Sequence, residues 1–176
     1  MTTNIRTRIA VLAGALLTTV AMATMTTEAS AATPVANAAS HHQIVNLAYN
    51  QCVDAPNGTL NVRLKLADCS GSATQEWAFV ATPTAGTYYL VNEASGYCAE
   101  VNNGTSTPGE AVDEYFCGGT ASEQWVQSLR VVNAIVYQQF THQGTTMCLD
   151  TVSGRGSQLM QWYCDSANDA QTWLVR

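Results

Sequence analysis

Three tryptophans, Trp77, Trp125 and Trp173, stand 48 residues apart, and each closes a similar tetrapeptide: TQEW, SEQW and AQTW. Each is preceded by a related heptad, CVDAPNG from Cys52, CAEVNNG from Cys98 and CLDTVSG from Cys148, with a glycine six residues after the cysteine. Self-similarity at this period marks a chain made of one unit used three times. A unit of this size cannot bury its apolar face alone, so the three must close on one another. A propeller of such blades needs about four or more. A closed barrel with threefold pseudosymmetry fits the count.

The units read as β-structure. RLKLADC and YLVNEASGYCAEV alternate in short runs, and Asn-Gly at 57–58 and 103–104 signals hairpin turns. No window sustains a helical period. Charge is sparse, with 7 Lys and Arg against 13 Asp and Glu in 176 residues. That composition suits short strands joined by many turns, and the length suits one domain. The expected fold class is all-β.

Residues 1–31 read as a secretory signal: a basic start, MTTNIRTR, an apolar run, IAVLAGALLTTVAMATM, and a small-residue cleavage site in ASA at 29–31 or ANA at 36–38. An uncleaved membrane anchor is the alternative, and either reading places the remainder outside the cytoplasm. The expected localisation is secreted and extracellular. Residues 32–42, rich in Ala, Ser and Asn, read as a disordered tail that includes the pair His41–His42. The domain is expected over 43–176. Without Arg6, Arg8 and Glu28 the balance is 5 basic against 12 acidic residues. No basic stripe is available for a phosphate backbone, so nucleic acid is not an expected partner. No later segment approaches a membrane span.

All six cysteines follow the signal, in couples separated by 17, 19 and 16 positions. An even number in an exported chain argues for disulfides. A metal site lacks any Cys-x-x-Cys or neighbouring His pair, so neither metal nor cofactor is expected.

Taken together, CVD…C…QEW, CAE…C…EQW and CLD…QWYC…QTW resemble the three subdomains of a ricin-B-type β-trefoil lectin over roughly residues 43–176. The resemblance implies twelve strands, a six-stranded barrel capped by three hairpins, and one disulfide per repeat: Cys52–Cys69, Cys98–Cys117 and Cys148–Cys164. It also implies carbohydrate binding without catalysis.

A pyranose offers a protein an apolar C–H face for an aromatic ring and hydroxyls for polar partners, and a carboxylate can accept from two neighbouring hydroxyls. Ricin-type lectins use the Asp of Cys-x-Asp, an aromatic two before the second Cys, a Gln on the same strand, and Asn-Gln before the final Trp. The third repeat is similar, with Asp150, Trp162 and Gln171, and with Asn168 nearby on a loop. It departs at Met160, where many relatives have Gln, and at Ala170, where Asn is usual. Gln161 lies one step further along the strand and reaches the sugar only if a bulge turns it back. The second repeat offers Glu100, Tyr115 and Glu123 as a possible second site, crowded by Asp113 and Glu114, a concentration of negative charge that raises carboxylate pKa values or brings in a cation. The first keeps Asp54 and Gln75 but has Ala67 in place of the aromatic, so it reads as structural.

Other readings compete. The acid after each first Cys can hold a turn, and each Gln before Trp can tie loops together. Glycoside hydrolysis needs two carboxylates about 5–10 Å apart across a deep cleft, which shallow trefoil sites do not supply. His142, in the turn THQG, has no nucleophile to serve, since the cysteines pair. The rival of a different class is a protein-binding trefoil, such as a protease inhibitor or partner subunit, that has lost its sugars. Exposure of Trp162 beside Asp150 discriminates between them.

Overall fold

The computed structural model describes residues 40–176. The expected signal at 1–31 and the tail up to residue 39 lie outside the described residues. Each repeat supplies four strands. The first has β1 (His41–Asn46), β2 (Cys52–Asp54), β3 (Lys65–Ala67) and β4 (Glu76–Ala81). The second has β5 (Thr87–Asn92), β6 (Cys98–Val101), β7 (Val112–Tyr115) and β8 (Gln124–Val132). The third has β9 (Ile135–His142), β10 (Met147–Thr151), β11 (Leu159–Tyr163) and β12 (Trp173–Val175).

Six of these close a barrel in the order β1, β4, β5, β8, β9, β12, with β12 returning to β1 through Ile44 opposite Val175 and Asn46 opposite Trp173. The other six form the hairpins β2–β3, β6–β7 and β10–β11. Single bridges join the hairpins in a triangle: Arg63 to Asp113, Lys65 to Gln158, and Ala111 to Met160. Closure leaves the barrel without an unpaired edge.

The strand β1 starts earlier than expected. His41 and His42 are not tail but pair with Ala78 and Trp77, and the His42 ring meets Phe79 edge-on at 6.0 Å. A barrel seam needs backbone pairing more than apolar side chains, so polar residues extend it unseen by a hydrophobic pattern.

The repeated tryptophans are the centre of the core, each fully buried. Every indole N–H donates to the carbonyl of the residue between the first cysteine and the acid of its own repeat: Trp77 to Val53 at 3.1 Å, Trp125 to Ala99 at 2.9 Å and Trp173 to Leu149 at 3.3 Å. A large apolar body whose one polar group is satisfied costs about 3–5 kcal/mol to truncate. The three disulfides pair Cys52 with Cys69, Cys98 with Cys117 and Cys148 with Cys164.

Two features depart from the expected local structure. Asn57-Gly58 and Asn103-Gly104 do adopt left-handed backbone, but within longer loops that follow β2 and β6. The two-residue hairpin turn is instead Asn133-Ala134, where φ is 50° and 64° and Val132 faces Ile135. The hairpin β8–β9 that it closes is the longest, and it exposes Leu129, Val131, Ile135 and Val136.

A second threefold set went unread in the sequence. Asn46, Asn92 and His142 each precede the first cysteine of a repeat by six positions, and all three are buried. Asn46 donates to the carbonyl of Ala170 at 2.8 Å, Asn92 to that of Thr74 at 3.0 Å, and His142 bonds the backbone of Ala121. Each thus ties its repeat to the loop before the tryptophan of the repeat that precedes it around the ring.

Candidate functional site

Register decides what each outer hairpin presents. In β10–β11, Cys148 faces Trp162, Leu149 faces Gln161 and Asp150 faces Met160. Directly opposed residues share a face and successive ones alternate. Asp150, Met160 and Trp162 therefore lie on one side, and Gln161 on the other.

Trp162 is 42% exposed, the open aromatic surface that sugar stacking requires. Its ring lies along Gly109 of the second repeat, where a Cβ would come 3.5 Å from the indole Cζ3. With φ at +86°, Gly109 also holds a backbone that L side chains avoid. Asp150 is only 3% exposed, and its Oδ2 accepts from Gln171 Nε2 at 2.7 Å while Asn168 Nδ2 stands 3.5 Å away. Its Oδ1 accepts from the backbone N–H of Thr151 at 2.6 Å. Spare lone pairs remain on both oxygens.

Two expected ligands lie elsewhere. Gln171 is fully buried: besides Asp150, its Nε2 donates to the Tyr163 carbonyl at 2.8 Å, and its Oε1 accepts from Asp165 N–H at 2.8 Å and from Gln139. It aims the carboxylate and closes the loop after Cys164 instead of meeting a sugar. Gln161 is equally buried, bonded to His142 Nδ1 and to the carbonyls of Thr105 and Thr107, each at 2.8 Å. No bulge turns it outward, since the ladder from Met147 to Thr151 runs without interruption. Asn168, half-buried, spends its Oδ1 on the Ala170 N–H at 2.9 Å, which leaves its Nδ2 beside Asp150.

The position three before each tryptophan shows why the third repeat differs. Thr74 and Ser122 donate hydroxyls to Asp54 at 2.8 Å and to Glu100 at 3.1 Å. Ala170 cannot, so Gln171 takes that role in the third repeat.

The second repeat has a concave surface. Glu100 faces Asp113 and Cys98 faces Tyr115, so both carboxylates and the ring share one side. A pocket of about 300 Å³ is lined by Glu100, Asp113, Tyr115, Asn102, Asn103 and Asn61. A second, of about 360 Å³, lies on the other flank of Glu100 and Tyr115, against Ser122 and Glu123. Tyr115 is 41% exposed. Glu123 contributes a wall only, because its oxygens accept from Gly119 N–H at 2.8 Å and Thr120 Oγ1 at 3.0 Å. Burial, with repulsion from Glu123 and Asp113, pushes the Glu100 carboxyl above the ordinary range despite its bond to Ser122. Burial does the same to Asp113, against the pull of Arg63 and with a further push from Glu110.

Among the described residues no group of three or more His, Cys, Asp or Glu is placed to hold a metal ion, and no helix is long and apolar enough to cross a membrane.

Comparison with known proteins agrees with this architecture. The solved structures similar to it include ThreeFoil, a designed threefold symmetric protein (TM-score 0.70, 21% identity, 77% of this chain and 96% of that one). An exo-β-1,3-galactanase from Clostridium thermocellum is similar over 77% of this chain and 30% of its own (TM-score 0.69, 19% identity). The lectin of Polyporus squamosus, solved with a sialylated epitope, is similar over 78% of this chain and 48% of its own (TM-score 0.65, 18% identity). The chain thus spans about half of that lectin and under a third of the galactanase. No curated protein matches the sequence significantly. The model of the ricin-type β-trefoil lectin domain matches residues 40–173, and the chain belongs to that family.

Proposed function

We propose that this is a secreted, non-catalytic carbohydrate-binding protein that holds saccharide chiefly on the outer face of β10–β11. The observation that carries this reading is the register placing an open Trp162 on the same face as Asp150. Trp162 stacks on the C–H face of a pyranose. Asp150, held rigid by Gln171 and Asn168, accepts from hydroxyls pressed into the small gap that remains to it. Preorganisation of the carboxylate lowers the ordering cost of a weak, shallow contact. Membership of a lectin family and the lectins among its structural neighbours support carbohydrate as the partner class.

Binding of the purified protein to a broad glycan and polysaccharide panel, with Trp162→Ala alongside, tests this. We expect the native protein to bind and the variant to lose about tenfold or more, with an unchanged Tm, since stacking contributes about 1 kcal/mol beyond area burial. Equal binding by both moves the site off the third repeat. No binding by either sinks the sugar reading.

A second reading, a trefoil that docks on a protein, draws on the exposed Leu129, Val131, Ile135 and Val136 of β8–β9. An apolar patch of this kind is a common mark of a protein interface. It predicts that the panel is silent and that charged substitutions at Leu129 and Val131 abolish association with the partner.

A further inference from the structure

The three outer hairpins are built alike, yet the residue facing the acid differs in chemistry: Lys65 faces Asp54, Asp113 faces Glu100 and Met160 faces Asp150. The first repeat thus supplies its own ammonium group at this position, and the third supplies an uncharged side chain. The second places two carboxylates opposite each other and no cation between them. Arg63, bridged to Asp113 through the backbone, is the nearby positive charge, and its exposed guanidinium is directed at Gln158, 3.5 Å from Oε1.

Asp113 is 8% exposed, and its Oδ1 is buried without a hydrogen-bond partner among the described residues. A buried carboxylate oxygen left unmade costs about 1–3 kcal/mol or more. The group lines the 300 Å³ pocket together with Glu100, the Tyr115 ring and the amides of Asn61, Asn102 and Asn103. That lining combines an aromatic wall, amide groups of both hydrogen-bonding senses and an unpaired negative centre. The volume suits a single pyranose at the low end of small-molecule sites.

We propose that the second-repeat pocket binds a sugar bearing a protonated amine, of the free-glucosamine type. Its ammonium sits between Glu100 and Asp113 and its ring lies along Tyr115. The inference rests on the carbohydrate-binding reading and names the ligand class of a second site. The ammonium supplies the positive charge that Lys65 brings to the facing position of the first repeat. It donates to the Asp113 carboxylate and to the Glu100 oxygen not engaged by Ser122, while the asparagine amides bond neighbouring hydroxyls. A neutral or N-acetylated sugar leaves the two facing carboxylates without a counter-charge, so the site selects against it. The acidic balance of the chain, 13 Asp and Glu against 7 Lys and Arg, also favours encounter with a polycation.

The test is calorimetric titration of the purified protein with glucosamine oligomers and with N-acetylglucosamine oligomers of equal length, near about pH 6, where the free amine is protonated. Native protein is expected to bind the deacetylated oligomer at least about tenfold more tightly than the acetylated one. Asp113→Asn and Glu100→Gln, which keep shape and remove charge, are each expected to lose about tenfold for the deacetylated oligomer. Removing a repelling charge does not threaten folding, and unchanged Tm values confirm that the variants are intact. As a readout independent of the variants, the deacetylated oligomer should shift the NMR resonances of the Asn103 side-chain amide. Equal affinity for the two oligomers overturns the proposal, as does undiminished binding by both variants. Calcium binding at this pocket with no amino-sugar binding overturns it in favour of a metal ion. The outcome is separable from the third-repeat reading. A protein that binds the deacetylated oligomer and no neutral glycan keeps this inference and loses that one, and the reverse result does the opposite.

Discussion

Glu114 occupies the inward position of β7 that Leu66 and Gln161 occupy in β3 and β11. Leucine fits that place by packing, and Gln161 fits it by three hydrogen bonds. Glu114 has one, from Ser95 Oγ at 2.5 Å, and its Oε2 is buried without a partner among the described residues. Burial pushes its carboxyl up to about 7, helped by Asp54 and opposed by Ser95. A raised folded-state value means that the folded protein keeps a proton the unfolded chain has released. Its stabilising effect is therefore complete below about pH 4.5 and is lost as pH rises through about 7. Glu114→Gln is expected to raise Tm at about pH 8 and to match the native protein at about pH 4. Thermal melts across that range check it, and a constant gap would show that ionisation is not the cause. His142 runs the other way, since burial lowers its pKa and so costs stability on acidification. The residue scale is also where the sequence was hardest to read. Trp77, Trp125 and Trp173 announce themselves by repetition. The fate of Gln161 and Gln171 depends on strand phase and on how the loop after Cys164 folds back, and neither is written in residue type. Asn46, Asn92 and His142 were within reach of the same spacing argument, but two residue types hid the set.

The strand β8 of the second repeat acts on the third repeat from outside it. Arg130 donates to the Asn168 carbonyl at 3.2 Å, to Thr172 Oγ1, and to Asp169 Oδ1 at 3.1 Å, so one guanidinium fastens the loop whose Asn168 and Gln171 hold Asp150. Arg130→Met keeps the aliphatic stem and removes the clamp. It is expected to weaken third-repeat sugar binding several-fold and to cost about 1 kcal/mol of stability, with no change in which sugars are preferred. A changed preference would mean that Arg130 touches the ligand itself. At this scale alternation predicted strands correctly, because half-buried strands need it. It missed the start of β1 and the turn at Asn133-Ala134. One is held by backbone pairing, and the other places an alanine where glycine is usual.

The whole molecule was the most legible level. A period of 48, used three times, leaves a closed ring as the economical way to bury three half-cores, and the barrel and its hairpin triangle are that ring. The disulfides lie within repeats and none crosses a seam. Each closes a short loop, of sequence separation 16 to 19, so replacing any one of the three pairs of cysteines by serine is expected to cost about 3 kcal/mol. Because the seams are independent of them, denaturant melts should lose stability by a similar amount whichever pair is removed. A far larger loss for one pair would show that the repeats do not share the load. The residue facing the acid of each outer hairpin belongs to none of this framework. Lys65, Asp113 and Met160 form no disulfide, and the ladder there is made by main-chain atoms that any side chain leaves in place. A single codon change at such a point alters what the surface meets while the ring continues to fold. Descent from one duplicated unit can thus yield three unlike addresses on a common frame, each free to drift toward a different ligand.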